Sequence, residues 1–499
     1  MKISKFIALF LAILMLSAVL FSCVDDKTTT DTTVASKTTT NEEVTVTEEI
    51  SRENTADNLP DLNFNGSTVN IYYRDSTNYK LDFIADALTG DRVNDAIFIR
   101  NANVEERLNI QFNFIAGPNG SSDYCNKVKT LTLSDDPGFD IVSAYQAYTI
   151  PLYLEGCFHD LSQTQYLDFS QPWWAYDYMT EIQVSDDKIF FLQGDIALFM
   201  LGSMGVVYFN KDIYEDKIGD PEELYNDVLD GNFTMDLFAE YSEMAYDDKN
   251  GNSIHDDGDI YGFAATTSKS TEHFMYDAGV RSSSRDENGY PTIDINNEFN
   301  IEFMEKLYTL YYQNNGALIS TTDGDINSFI TNFTDGELLF LPGWLYMAAG
   351  LQNMEDEYGI IPFPKLDTDV EEYKSLVHDG TTIYCVAQSC ANIDMISAVL
   401  EATCAESYRK VTPEYFDVAL KCKYSKDEQS ASILDMLREN ITTDFLYANN
   451  YSFSTNIGLL CRTLMQQKSY NLSSIYAKVI TPSQQKLDEI ITNYTTEEQ

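Results

Sequence analysis

Gly90-Asp91-Arg92-Val93-Asn94-Asp95-Ala96-Ile97, carried on through Arg100-Asn101 to Val104-Glu105-Glu106-Arg107, is the stretch on which the fold of this chain turns. Between Asp91 and Arg107 the apolar residues Val93, Ile97 and Val104, followed by Leu108, recur at helical spacing, which predicts an amphipathic helix with those residues inward. On either side the period changes to two. Val69 to Tyr73 and Asn109 to Ile115 read as strands, and Asp140 to Ala144 as a third. Strand, helix and strand in that order predict α/β architecture. Farther out, Val206-Val207-Tyr208-Phe209 reads as another strand, ended by Asn210-Lys211-Asp212, and Tyr-rich, acidic helices continue to the C-terminus. No internal repeat is evident.

At the N-terminus Lys2 and Lys5 precede an apolar run from Phe6 to Phe21, broken only by Ser17. This is a signal-peptide pattern, too short for a spanning helix of about 20 apolar residues. The run closes on Leu20-Phe21-Ser22-Cys23, which resembles the bacterial lipobox, although Phe21 replaces the usual small residue. The resemblance implies that residues 1–22 are removed and that Cys23 is diacylated, anchoring the chain by lipid to the outer face of the cytoplasmic membrane. Residues 23–63 are Thr-rich and acidic, with Thr28-Thr29-Thr30 and Thr38-Thr39-Thr40, and predict a disordered tether.

The remaining stretch of roughly 435 residues exceeds what one core usually holds, so two lobes are expected. With 79 Asp and Glu against 32 Lys and Arg, the net charge of −47 excludes nucleic acid and anionic lipid headgroups as partners, and disfavours anionic solutes. After Cys23 seven cysteines remain, Cys125, Cys157, Cys385, Cys390, Cys404, Cys422 and Cys461, with no CxxC pair among them, so buried free thiols are expected and a metal cluster is not.

The motifs Gly90 to Ile97, Arg100-Asn101 and Val104 to Arg107 resemble the first helix of a group of extracellular solute-binding lipoproteins. Val207-Tyr208-Phe209-Asn210-Lys211-Asp212 resembles their Y-x-N-K entry into a second lobe. Gly231-Asn232-Phe233-Thr234-Met235-Asp236 stands where they carry Gly-x-Trp-Thr-Trp-Asp, with both tryptophans replaced. Gly336-Glu337-Leu338-Leu339-Phe340 and Tyr358-Gly359-Ile360-Ile361-Pro362-Phe363-Pro364-Lys365 resemble the return crossover of family 1 of the ABC-type sugar-binding proteins. The resemblance implies a two-lobed, periplasmic-binding-protein-like (type II) fold with a hinge and discontinuous lobes, 64–200 with 319–366 forming the N-terminal lobe and 201–318 with 367–499 the C-terminal one. It further implies a small ligand, of sugar type, held between the lobes, and separate ABC permease and ATPase subunits as partners of a monomeric receptor.

Sugars present apolar C–H faces that stack on aromatic rings and hydroxyls that need fixed polar groups. Trp344 is the first candidate, because Gly343-Trp344 resembles the turn that places a stacking ring in related binders. Tyr145, Gln146 and Tyr148 follow the strand Asp140 to Ala144, and Arg74 and Asp75 follow Val69 to Tyr73, so both sets are expected at strand ends facing the cleft. Trp173-Trp174 is a further candidate pair, with packing of lobe on lobe as its other reading. Core packing or a solvated turn is the other reading of the rest.

The run Asp248-Lys249-Asn250-Gly251-Asn252-Ser253-Ile254-His255-Asp256-Asp257-Gly258-Asp259 alternates oxygen donors in EF-hand-like order. Asp248, Asn250, Asn252, Asp256, Asp259 and the Ile254 carbonyl are candidate calcium ligands. Ser253 and Asp259 replace the usual glycine and glutamate, so a weak structural calcium site or a solvated acidic turn is expected. No cofactor is required. The chain shows no G-x-S-x-G, H-E-x-x-H or P-loop pattern, and its four histidines are scattered, so it is not expected to be an enzyme. The alternatives are a peptide-binding lipoprotein of the same fold, an adhesin or signalling partner, and a secreted glycosidase.

Overall fold

A computed structural model describes residues 51–134, 138–256, 258–422 and 427–496. The signal segment 1–22, Cys23 and the tether as far as residue 50 lie outside the described residues. Strands β1 (Ser67–Arg74), β2 (Ile110–Gly117) and β3 (Ile141–Tyr145) come first, then β4 (Gly205–Asn210) and β5 (Tyr261–Thr266). They are followed by β6 (Ser283–Arg285), β7 (Pro291–Ile293), β8 (Ala317–Ser320), β9 (Leu338–Trp344) and β10 (Tyr358–Ile361). Last are β11 (Ser375–Leu376), β12 (Thr382–Val386) and β13 (Ile441–Thr442).

The helix expected from Asp91 forms as Arg92–Leu108, with Asp91 at its N-cap accepting the Asn94 amide. Ile97, Val104 and Leu108 are buried, as their spacing predicts, while Val93 is half-buried. Arg100 and Asn101, on the same buried face, close the loop before the helix. Arg100, fully buried, donates to the Asp82 carbonyl and Ser407 Oγ, and Asn101 donates to the Phe83 carbonyl.

Two open sheets organise the molecule, in the orders β12-β3-β1-β2 and β10-β4-β9-β5-β8. β1 is parallel to β2 and β3, and β12 is antiparallel to β3. In the second sheet β5 is parallel to β8 and β9, while β4 runs antiparallel to β9 and β10. The chain crosses to the second sheet through the short helix Leu198–Gly202 and returns after β10 by way of β11, which pairs with β13. The entry motif works as a cap and a clasp. Asn210 caps the helix Lys211–Lys217 by accepting the Ile213 amide and donates to Asp356, while Lys211 pairs with Asp427 at 2.6 Å.

Three boundaries differ from those expected. Segment 319–366 supplies β9 and β10 to the second sheet, because their backbone partners are β4 and β5, and β12 returns to the first sheet beside β3. Region 367–499 is therefore not one lobe: helix Ile393–Glu406 packs on Arg92–Leu108, and helix Leu460–Gln466 packs on Lys269–Asp277. The tether also ends earlier than residue 63. Asp57 is buried between the guanidinium groups of Arg107 and Arg409, and Arg52 pairs with Asp195 at 3.0 Å, which fixes residues 51–63 to the folded part. Cys125, Cys157, Cys385, Cys390, Cys404 and Cys461 are buried free thiols.

Burial also leaves carboxyl groups inside. It pushes Asp82 up to about 6 against hydrogen bonds from Tyr384 and the Phe199 amide, and Glu181 and Glu401 up to about 7. Each binds more protons folded than unfolded between its ordinary and its raised pKa, so the stability it contributes falls as pH rises through that window. His378, lowered by burial to about 4, acts in the opposite sense, but as one group against three. The melting temperature is therefore expected to be several degrees higher at about pH 5 than at about pH 7.5. Differential scanning calorimetry across that range measures it, and a flat or falling profile on acidification would contradict the burial argument.

Candidate functional site

β1 and β3 end at Arg74 and Tyr145, and antiparallel β12 begins opposite Tyr145 at Thr382, so residues 378–381 share that end of the first sheet. In the second sheet β5 and β9 end at Thr266 and Trp344, and β4 begins opposite Trp344 at Gly205. These two sets of ends meet. The Trp344 ring lies edge-on to His378 with centroids 5.2 Å apart, Tyr346 lies 6.0 Å from Phe199, and the His378 amide donates to the Ser203 carbonyl.

Two aromatic groups line the junction. Trp344 and Tyr346 stack at 5.7 Å and 3°, with Tyr346 43% exposed. Gly343 permits the turn into this pair, since a Cβ there would collide with Met347. Beyond the end of β3 Tyr148 stacks on Tyr451 at 4.4 Å and 25°, Tyr145 meets Tyr148 edge-on at 5.2 Å, and Tyr451 is 46% exposed. Polar groups lie between. Asp379 accepts from the Tyr145 hydroxyl at 2.9 Å, and its amide donates to the Tyr447 hydroxyl at 3.1 Å. His378 Nδ1 accepts the Gly380 amide at 2.9 Å, so its proton sits on Nε2, and burial keeps the ring neutral at physiological pH. Arg74 lies over the rings of Tyr79 and Tyr145, and Lys269 over Trp344 at 5.8 Å.

The family model described as bacterial extracellular solute-binding protein matches residues 102–395, more than half of the chain. This chain belongs to the bacterial extracellular solute-binding proteins. Solved structures share the fold of this solute-binding protein at low identity. The galacto-N-biose/lacto-N-biose I-binding protein of the ABC transporter from Bifidobacterium longum, solved with lacto-N-biose, is 13% identical, with a TM-score of 0.57 over 85% of this chain and 98% of that one. An ABC substrate-binding protein from Listeria monocytogenes, solved with cycloalternan, is 12% identical, with a TM-score of 0.52 over 86% and 99%. The GacH receptor of Streptomyces glaucescens, solved unliganded and with acarbose, is 11% identical, with a TM-score of 0.52 over 85% and 99%. No curated protein matches the sequence.

Of the expected site residues in this solute-binding protein, Trp344, Tyr145, Tyr148 and Arg74 come together at the junction. Gln146 is close but buried, its Oε1 accepting the Tyr178 hydroxyl and its backbone N–H donating to the Thr381 carbonyl. Asp75 points away into an exposed pair with Lys80. Trp173 and Trp174 are elsewhere: both indole N–H groups donate to the buried Glu401, at 3.1 and 2.9 Å, and pin their loop to helix Ile393–Glu406. Both also line a cavity with Met200, Leu201, Arg438 and Ile441.

In the Asp248 loop the candidate ligands are engaged with one another and with loop amides, while Asp259 Oδ1 is buried without a hydrogen-bond partner. Asp248 spends its carboxylate on the amides of Gly251, Asn252 and Ser253, and Asn250 and Asn252 turn their amide nitrogens, not oxygens, to Asp256. Asp259 accepts from the Asp256 amide and the Tyr246 hydroxyl. Among the described residues no group of three or more His, Cys, Asp or Glu is arranged to hold a metal ion.

The sequence reading missed Tyr346, Tyr451, Lys269, His378 and Asp379. Lys269 follows the end of β5, and His378-Asp379 precedes β12, so strand-end logic applied to both strands would have raised them. Tyr451 carries no local signal, because its stacking partner Tyr148 is some 300 residues away in sequence.

Proposed function

We propose that this chain is the receptor of an ABC importer and captures a saccharide in the junction between its two sheets. The observation that carries the reading is the pair of aromatic stacks at this junction, Trp344-Tyr346 in contact with His378 and Tyr148-Tyr451 joined through Tyr145 to Asp379, because aromatic rings beside fixed polar groups suit the alternating apolar and hydroxylated faces of a sugar ring. The three solved relatives, each bound to a saccharide or an analogue of one, support the same ligand class. Closing on a ligand that touches both sides favours the closed arrangement, which a separate permease and ATPase would then read. The reading includes a monomeric receptor held at the membrane through diacylated Cys23, and a Cys23→Ser variant is expected to leave the membrane fraction for the medium.

Thermal unfolding against mono- and oligosaccharides and peptides tests the function, since a ligand of the native state raises the midpoint by mass action. A saccharide-specific rise is expected. A rise with peptides alone, or consumption of the glycan, overturns it. Tyr451→Ala, which removes an exposed ring without opening the core, is expected to weaken saccharide binding about tenfold in a calorimetric titration while leaving the apo melting temperature nearly unchanged.

A further inference from the structure

The wall of the cleft contributed by the second sheet carries a positive charge that the protein does not answer. Lys269 is half-buried at the start of helix Lys269–Asp277, over the Trp344 ring, and has no acidic partner among the described residues. In a chain with 79 acids to 32 bases this is the reverse of what chance placement would give. The position is also unfavourable locally, because a cation in the first turn opposes the helix dipole.

Beside Lys269 two further polar groups lack partners. Trp344 is 3% exposed and its Nε1 makes no hydrogen bond. Thr267, two residues before Lys269 and fully buried, has an Oγ1 that makes none either. Buried polar groups left unpaired cost about 1–3 kcal/mol each, so a site that keeps them awaits a ligand that pairs them. The carboxylates close by are already engaged: Asp379 accepts from the Tyr145 hydroxyl, and Asp323 accepts from Ser268 Oγ. Among the groups that remain uncommitted here are an ammonium, an indole N–H and a hydroxyl, each able to donate.

We infer that the saccharide this cleft takes is acidic, and that its anionic oxygen group, a uronate carboxylate or a sulfate ester, is received by Lys269 with Trp344 Nε1 and Thr267 Oγ1. This rests on the saccharide reading above and narrows it. The net charge of −47 argues against anionic solutes over the surface as a whole, but the field of distant exposed carboxylates is screened within about 10 Å at ordinary ionic strength, whereas a half-buried ammonium acts at contact. The local charge therefore governs what the cleft retains.

Calorimetric titration of the full-length chain in detergent with trigalacturonate, with neutral galactotriose and with galactose 6-sulfate tests it. An acidic probe is expected to bind at least about tenfold tighter than its neutral counterpart. That ratio is expected to collapse towards one in Lys269→Gln and to persist in Lys269→Arg, both substitutions at a half-exposed position that the core does not need. Preference for the sulfate over the uronate supports the anionic site and names the group. Equal or tighter binding of galactotriose, or a ratio unchanged in Lys269→Gln, overturns the inference while leaving saccharide capture standing. If peptides alone bind, saccharide capture fails and this inference falls with it.

Discussion

Trp344→Ala is expected to abolish the saccharide-dependent rise in melting temperature, with affinity lowered about a hundredfold or more. The ring stands between Tyr346, stacked at 5.7 Å, and the edge contacts of His273 and His378, at 5.6 and 5.2 Å, so it joins the second sheet's strand end to the segment entering β12. Truncating a central, desolvated tryptophan typically costs a binding site 2 kcal/mol or more, and here it also removes the support on which Tyr346 lies. The same substitution empties a buried volume and is expected to lower the stability of the unliganded protein by about 3–5 kcal/mol. The two effects separate in the variant Trp344→Phe, which retains most of the volume but loses Nε1 and the larger face. It is expected to fold nearly as stably as the parent and still to bind weakly. Full ligand shifts in both variants would remove Trp344 from the site and with it the main support for the cleft.

How far the sequence carried the interpretation depends on the range over which each feature is decided. Helix Arg92–Leu108 and strands β1 to β3 were legible because the spacing and clustering of their apolar residues are local features. The allocation of 319–366 and 367–499 was not, because a strand's own residues do not say which sheet edge it joins. β9 and β12 are both buried throughout, and only their backbone partners, β4 and β5 for the one and β3 for the other, separate them. The hydrogen bonds of Trp173-Trp174 were not legible for a related reason. Their destination is decided by Glu401, more than 200 residues later, whose carboxylate takes both indole N–H groups. In contrast, the place of Trp344 and Tyr145 at strand ends was legible because the end of a strand is a local feature.

The other large effect lies beneath the cleft. Arg462 donates through Nε and a terminal nitrogen to the two oxygens of Glu272, at 2.8 and 2.7 Å, joining helix Leu460–Gln466 to the helix that begins with Lys269. Glu272 is nearly fully buried, and burial raises its pKa even though Arg462 opposes the rise. Replacing Arg462 by Met keeps the aliphatic stem but leaves a buried carboxylate without its cation, which is expected to cost about 3–5 kcal/mol at neutral pH. The sign of the pH dependence follows. Without Arg462 the folded-state pKa of Glu272 climbs further, so the folded variant takes up a proton that the unfolded chain releases, and the deficit is largest above that pKa and shrinks as pH falls through it. Chemical denaturation of Arg462→Met at about pH 8 and about pH 5 measures this, with a smaller loss expected at the lower pH. The double variant with Glu272→Gln is expected to recover part of the loss at pH 8, since a neutral amide there needs no counter-charge. A deficit equal at both pH values and untouched by Glu272→Gln would mean that Arg462 stabilises the junction through packing of its stem and not through its charge.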